Sequence, residues 1–386
     1  MQLHTSNLKQ RTSNLKIIIS GGGTGGHVFP AIAIANELKN IDPSIDILFV
    51  GAKGKIEMEK VPKAGYPIKS LWISGFHRKL TLRNLLFPLK LLFSLFKAFW
   101  IVKTYKPQVV VGVGGFASGP VLQVANMLGI PTLLQEQNSY AGVTNKLLAR
   151  KADKICVAYD KMDRYFPSDK IILTGNPIRQ DLKELDKFKE QALDYFGFSK
   201  EKKTLVLMGG SLGARALNEG MAESFEILKK HPEMQILWQA GKLYIDEFTE
   251  SKTAHLENVK IVAFIDRMDL AFAMADVTIT RAGASTISEL CITGKAAVLV
   301  PSPNVAEDHQ TQNANALAEK DAAILVANAE VNEKMIATAL SVLENSELKN
   351  ELQSNILKLA KPNASQLIAE EVLSLVNAQI SVKNKV

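Results

Sequence analysis

The stretch KIIIS (Lys16–Ser20), GGGTGG (Gly21–Gly26) and HVFPAIAIAN (His27–Asn36) decides the fold. Three consecutive isoleucines in a short run that stops at glycines have the pattern of a strand buried on both faces of a parallel sheet. The glycines form a tight turn, and apolar periodicity then predicts a helix over Pro30–Asn40 and a second strand at Asp46–Val50. The unit repeats along the chain. Strands are expected at Val109–Val113, Pro131–Leu134 and Lys154–Val157, and the plan starts afresh at Thr204–Met208, followed by GGSLG. Gln235–Trp238, Val259–Ala263, Val277–Thr280 and Ala297–Val300 complete the second series. Alternating strands and helices give an α/β chain of two doubly wound, Rossmann-like domains with parallel sheets, expected to face each other across a cleft. The turn Gly175-Asn176-Pro177 divides them, and Gln180–Glu190 reads as a connecting helix. The expected segments are a disordered extension over 1–15, with TSNLK at Thr5–Lys9 and again at Thr12–Lys16, a first domain over 16–177 and a second over 178–362, with 363–386 as a C-terminal helix.

Composition narrows the function classes. The chain has 386 residues, 47% of them hydrophobic and 22% charged, which excludes a disordered or collagen-like protein. Two isolated cysteines, Cys156 and Cys291, supply neither a disulfide framework nor a CxxC metal site, as expected of a reducing cytoplasm. The first 16 residues are polar and basic without an apolar core, so no cleavable signal is expected there. The net charge of +7 hides an asymmetry: residues 1–177 carry 23 basic and 10 acidic side chains, residues 178–386 carry 23 and 29. Between Lys60 and Gln135 there are ten basic residues and no acid, so a polyanion or an anionic membrane is to be sought in the first half.

The first glycine loop fits GxGxxG between a strand and a helix, where backbone amides meet phosphate. A nicotinamide enzyme would also place an acid at the end of the second strand, and Phe49-Val50-Gly51-Ala52 has none there. His27 follows the loop at the helix start. It is either a packing or capping histidine, or a general base or anion contact. In the second half, Gly209-Gly210-Ser211-Leu212-Gly213 repeats the arrangement, with the Ser211 hydroxyl beside helix amides. Arg281-Ala282-Gly283-Ala284-Ser285-Thr286 opens another helix. There the amides of Ala284 and Ser285 suit an anion and Glu289 suits ribose hydroxyls, although Thr286 and Glu289 also have capping-box spacing. Glu307–Asn313 is a polar run that could read sugar hydroxyls. No Asp-x-Asp occurs, so helix amides rather than a metal would balance phosphate charge; no metal or other cofactor is expected.

Seven segments then occur in a telling order: GGGTGGHVFPA (21–31), GVGGFASGP (112–120), QEQNSYAGVTNK (135–146), TGNPIR (174–179), MGGSLGARALN (208–218), RAGASTISEL (281–290) and EDHQTQNA (307–314). Together they resemble the MurG family, N-acetylglucosaminyltransferases of peptidoglycan synthesis, from about Lys16 to the C-terminus. The resemblance implies a GT-B fold whose last helix, Ser365–Asn377, returns to the first domain. It implies UDP-N-acetylglucosamine as donor and undecaprenyl-diphospho-N-acetylmuramoyl pentapeptide as acceptor, with inverting transfer to the muramoyl 4-hydroxyl. Ser211, Ala284 and Ser285 would meet the diphosphate, Glu289 the ribose, Ile265 the uracil through its backbone, and Gln310 and Thr311 the sugar. Asn138 and Arg179 would approach the donor from the other domain, as would Thr24, Gly25 and Gly26. Gly22, Gly23, Phe116 and Asn145 fall on the acceptor side. Phe116 and Thr311 depart from members that have Tyr and Gln there. The hydroxyl proton would pass to His27, with Glu136 the competing base.

Leu80–Lys106 is strongly apolar but interrupted by Pro88, Lys90 and Lys97, so a spanning helix is not expected. A helix from Pro88 places Lys90, Ser94 and Lys97 on one stripe and leaves more apolar surface than one core face needs. The expected role is a peripheral contact with the cytoplasmic face of an anionic bacterial membrane through Lys79, Arg83, Lys90, Phe93, Phe96, Lys97 and Trp100. Nucleic acid is disfavoured because the segment is aliphatic rather than interleaved with stacking aromatics. The competing readings are another GT-B lipid glycosyltransferase, a UDP-N-acetylglucosamine 2-epimerase, or a non-catalytic membrane-surface scaffold.

Overall fold

The computed structural model describes residues 15–75, 86–178, 182, 185–210, 212–305 and 308–383. The first TSNLK copy, the second as far as Asn14, and Arg78, Lys79, Arg83, Arg179, Ser211 and Glu307 lie outside them. The chain divides into two compact units. One comprises the residues up to Ile178 together with those from Pro362 on, and the other the stretch between.

The first unit holds β1 (Lys16–Ser20), β2 (Asp46–Ala52), β3 (Ile68–Leu71), β4 (Val109–Gly112), β5 (Thr132–Glu136), β6 (Lys154–Val157) and β7 (Ile171–Leu173). All pair in parallel in the order β3-β2-β1-β4-β5-β6-β7. Its main helices are α1 (Gly25–Ile41), α2 (Glu57–Lys63), α3 (Phe87–Tyr105), α4 (Ser118–Met127) and α5 (Val143–Leu148). The second unit holds β8 (Lys203–Met208), β9 (Met234–Gln239), β10 (Val259–Val262), β11 (Val277–Thr280), β12 (Ala296–Leu299) and β13 (Ile324–Leu325), ordered β10-β9-β8-β11-β12-β13. Among its helices are α6 (Arg215–Glu223), α7 (Ala284–Thr293) and α8 (His309–Ala318); α9 (Ala364–Lys383) belongs to the first unit. In both sheets the strand order reverses once, between β1 and β4 and between β8 and β11. At such switch points the loops beyond the strand ends splay apart and leave room for a ligand.

Period-two alternation explains why the middle of β1 is apolar on both faces. Ile17 and Ile19 pack with Ile34 and Leu38 of α1 and with Ile368 and Val372 of α9. Ile18 points to the opposite face, against Ala98 and Val102 of α3 and Leu122 of α4. Each such side chain contributes about 1.5–3 kcal/mol by burial, so α9 is part of the first unit's core rather than an appendage. An ion pair between Lys154 and Glu371 fixes its outer side.

Three strands, β3, β7 and β13, go beyond the sequence expectation, and all are short edge strands. The connecting helix expected over Gln180–Glu190 falls partly outside the described residues. Its described part is a 3-10 turn, Leu185–Phe188, running into a helix at Lys189–Phe196. Helix α1 starts at Gly25, a turn and a half before Pro30, which places His27 inside its first turn.

Candidate active site

In the first unit three loops meet beyond the adjacent ends of β1, β4 and β5. The glycines allow very close approach: a Cβ on Gly115 would lie 2.2 Å from the Gly22 carbonyl oxygen, and one on Gly21 would lie 2.2 Å from Val113 Cγ2. Gly22 N–H donates to the Gly114 carbonyl at 3.3 Å, tying the β1 and β4 loops together. The His27 ring lies directly over Gly114, where a Cβ would fall 2.8 Å from Cδ2 and 2.9 Å from Nε2. The same point is 3.8 Å from Asn145 Nδ2, so His27 and Asn145 border one spot. His27 is half-buried, and its Nδ1 is 3.1 Å from Thr24 Oγ1.

Glu136, at the end of β5, is only 2% exposed and both its oxygens are engaged. Oε1 accepts from Asn138 N–H at 3.1 Å and Asn138 Nδ2 at 3.3 Å, while Oε2 accepts from Gly142 N–H at 3.0 Å and Asn145 Nδ2 at 2.9 Å. Burial raises its carboxyl pKa and these donors oppose the rise. The carboxylate therefore shapes the loop from Asn138 to Gly142 and aims the Asn145 amide. Beside it Gln135, Gln137 and Asn176 form a buried network, with Gln135 Nε2 donating to Asn176 Oδ1 at 3.0 Å and Asn176 Nδ2 to the Gln137 carbonyl at 2.9 Å. Phe116 lies against the backbone of Gly75, where a Cβ would meet its ring at 2.2 Å.

Sequence reasoning missed Glu57. The end of β2 indeed carries no acid, but the first residue of α2 folds back beneath the glycine loop. Its Oε2 accepts Gly23 N–H at 2.8 Å and its Oε1 accepts Ala52 N–H at 2.9 Å. The Gly23 amide is thus already committed, and any acceptor contact there must use other atoms. The available signal was Gly51 inside a strand, since such a glycine marks a close approach.

In the second unit the β8 and β9 loops press backbone to backbone. A Cβ on Gly241 would lie 2.2 Å from Gly213 Cα, and Gln239 Nε2 donates to the Gly210 carbonyl at 2.7 Å. Helix α7 begins at Ala284 after an extended Gly283 (φ −69°, ψ 142°), and no side chain caps it. The capping-box reading of Thr286 and Glu289 is corrected here: Thr286 lies within the first turn, because Gly283 holds the cap position. The first amides of α7, Ala284 and Ser285, have no partner within the helix and carry its positive end. Glu289 lies one turn further on and is half-buried. Arg281 is structural: its Nη1 donates to the carbonyls of Val300 and Pro301, each at 3.1 Å, and to Asn328 Oδ1 at 2.7 Å. Burial pushes its pKa down to about 10, still well above neutrality.

Gln310 Oε1 accepts Ser302 N–H at 2.8 Å and Thr311 Oγ1 donates to Asp308 Oδ1 at 2.7 Å, while Asp308 itself holds a left-handed φ of 52°. Asn313 Nδ2 donates to the Ala282 carbonyl at 3.3 Å, joining α8 to the β11 loop. Ile265 is buried in the loop after β10. Among the described residues, Asn145 Oδ1 and Ser285 Oγ are buried oxygens without a hydrogen-bond partner, one beside each set of loops. Such atoms mark places where a ligand can supply the missing donor.

Helix α3 presents the predicted apolar excess: Leu92 is 65%, Phe96 64% and Trp100 54% exposed. Two members of the polar stripe face the protein rather than solvent. Ser94 is buried and donates to the Trp72 carbonyl at 3.1 Å, and Lys90 Nζ donates to Ser74 Oγ at 3.1 Å, so this stripe faces the segment after β3. Lys97 stays exposed and, with Lys69, Ser70, Trp100, Ile101 and Thr104, lines a cavity of about 420 Å³. No helix among the described residues is long and apolar enough to cross a membrane.

The sequence matches the glycosyltransferase family 28 N-terminal domain over residues 17–157 and the family 28 C-terminal domain over residues 204–371. A Flavobacterium psychrophilum protein named UDP-N-acetylglucosamine–N-acetylmuramyl-(pentapeptide) pyrophosphoryl-undecaprenol N-acetylglucosamine transferase is 54% identical over 366 residues, 95% of this chain and 99% of that one. A Bacteroides fragilis protein of the same name is 52% identical over 94% of this chain and 96% of its own. The crystal structure of Acinetobacter baumannii MurG superposes with a TM-score of 0.75 at 29% identity, covering 93% of this chain and 99% of that one. A Neisseria meningitidis UDP-GlcNAc 2-epimerase shares the fold, with a TM-score of 0.67 at 15% identity over 93% of this chain and 100% of its own.

Proposed function

The chain belongs to the MurG family of glycosyltransferases, and on that premise we infer how its residues perform the family's reaction. It transfers N-acetylglucosamine from UDP-N-acetylglucosamine to the lipid-linked muramoyl pentapeptide of peptidoglycan synthesis. The muramoyl 4-hydroxyl attacks the anomeric carbon of the donor from the face opposite UDP. The new C–O bond forms as the bond to the diphosphate breaks, so an α-linked donor gives a β-1,4 product.

The observation that carries the assignment of roles is the seating of His27 over Gly114, beside the Asn145 amide that Glu136 aims. Thr24 Oγ1 lies 3.1 Å from Nδ1, and in the tautomer whose Nδ1–H donates to it, Nε2 carries the lone pair that takes the hydroxyl proton. Glu136 serves as the positioning group, because four N–H donors already occupy its oxygens. In the second unit the positive end of α7 receives the diphosphate as charge develops on it, with Ser285 Oγ beside it; Ser211, which follows β8 in the sequence, supplies a second hydroxyl. Glu289 holds the ribose, Ile265 the uracil, and Gln310 and Thr311 the sugar; Arg179, Asn138, Thr24, Gly25 and Gly26 complete the donor contacts. Phe116, Gly22 and Asn145 contact the acceptor, as does Gly23 through atoms other than its amide.

The exposed face of α3 rests on the cytoplasmic side of the cell membrane. Phe93, Phe96 and Trp100 enter the interface, while Lys97 meets anionic headgroups, with Lys79 and Arg83 as the further basic residues; Lys90 reaches a headgroup only by leaving its bond to Ser74 Oγ. Product analysis tests the reaction: the chain should convert the lipid-linked muramoyl pentapeptide into a β-1,4-linked disaccharide, read from anomeric NMR. An α-linked product, or epimerised nucleotide sugar without transfer, would overturn this reading.

A further inference from the structure

We propose that Glu57 is a positioning residue for the transfer, acting through the glycine loop on His27; this rests on the reading of His27 as the base. Glu57 is 1% exposed, and each of its two carboxylate oxygens accepts one backbone N–H, from Gly23 and from Ala52. The protein makes room for it with two glycines. A Cβ on Gly22 would lie 2.3 Å from the carboxylate carbon, and one on Gly51 would lie 2.5 Å from Glu57 Cγ. Gly22 and Gly23 sit at φ 143° and 91°, conformations that exclude other side chains and that the carboxylate holds from below.

From there contact is continuous to the proposed base. The Gly22 carbonyl touches Gly115, Gly22 N–H bonds the Gly114 carbonyl, and Gly114 carries the His27 ring. The space that a dinucleotide enzyme would give to its ligand's ribose or phosphate is filled by the chain's own carboxylate. A glutamine at 57 keeps the shape but turns an NH₂ toward one of the two N–H donors, and so releases one side of the loop.

The test is a double-mutant cycle on the full chain, with folded sites counted by UDP titration. Glu57→Gln should lower kcat on the order of 10²-fold, the cost of misplacing a reacting group by about 1 Å, and leave the KM for UDP-N-acetylglucosamine within about twofold. Glu57→Gln combined with His27→Ala should be no slower than His27→Ala alone, because groups acting as a unit are not additive. Losses that multiply in the double variant, or an unchanged kcat in Glu57→Gln, would overturn the proposal. If Glu57→Gln does not fold, Glu57→Asp takes its place in the cycle, and failure of both to fold makes Glu57 a folding residue and equally overturns it. Full turnover in His27→Ala would instead remove the base assignment on which the proposal stands.

Discussion

Replacing Gly114 by Ala tests the seating of His27 with a single methyl group. The added Cβ would lie 2.8 Å from His27 Cδ2 and 2.9 Å from Nε2, whereas carbon contacts settle at about 3.5–4.0 Å. The ring must therefore withdraw by about 0.7 Å or more. Gly114 also holds a φ of 86°, where a non-glycine residue costs about 1–2 kcal/mol. The expected loss of stability lowers Tm by about 2–8 °C for a unit of this size. Displacing the proposed base by nearly 1 Å should lower kcat on the order of 10²-fold. The uracil, ribose and diphosphate are assigned to residues of the second unit, so affinity for UDP itself should stay within about twofold. Turnover with a soluble lipid-linked acceptor analogue and labelled UDP-N-acetylglucosamine, beside calorimetric titration with UDP, reads both quantities. A Gly114→Ala chain that binds UDP normally and keeps kcat within about twofold of the parent would refute the placement of the reacting hydroxyl at His27.

Two further outcomes follow from the buried carboxylate and the exposed helix. The Glu136 carboxyl pKa is raised by burial, so the folded state holds its proton to higher pH than the unfolded chain does. Its stabilising effect is fully present below the unfolded value of about 4.3 and is lost as pH rises through the folded pKa. Glu136→Gln removes this dependence, so the Tm difference between the parent and this variant should shift against the parent as pH rises through that window; a difference that is flat with pH would contradict it. Phe96→Ser together with Trp100→Ser should weaken binding to anionic vesicles about 10-fold or more, since two largely exposed aromatic side chains are lost from the interface. Flotation that is unaffected would count against α3 as the membrane face.

The central strands were legible because residues buried on both faces leave a continuous apolar run, as in Lys16–Ser20 and Val109–Val113. The edge strands were not: a strand paired on one side needs few apolar residues, so Ile-Lys-Ser-Leu at 68–71 looks like loop, while β7 and β13 are apolar but only three and two residues long. The phosphate-type loops announced themselves through glycine, and the structure places each at a switch point. Glu57 stayed hidden because its role depends on where α2 turns back, a tertiary fact that no local pattern encodes. Glu136 was visible as a carboxylate among polar residues, but only the structure supplies the four donors that occupy it. The stripe of Lys90 and Ser94 was read correctly as one face of a helix; the segment after β3 that receives it lay outside any helical periodicity.

The account turns on His27 as the group that takes the acceptor proton. Its most direct test is the single-turnover rate of His27→Ala with both substrates saturating, measured beside the UDP dissociation constant. The rate should fall on the order of 10²–10⁴-fold, the usual contribution of a general base, with UDP affinity nearly unchanged. A rate within about twofold of the parent would contradict the account.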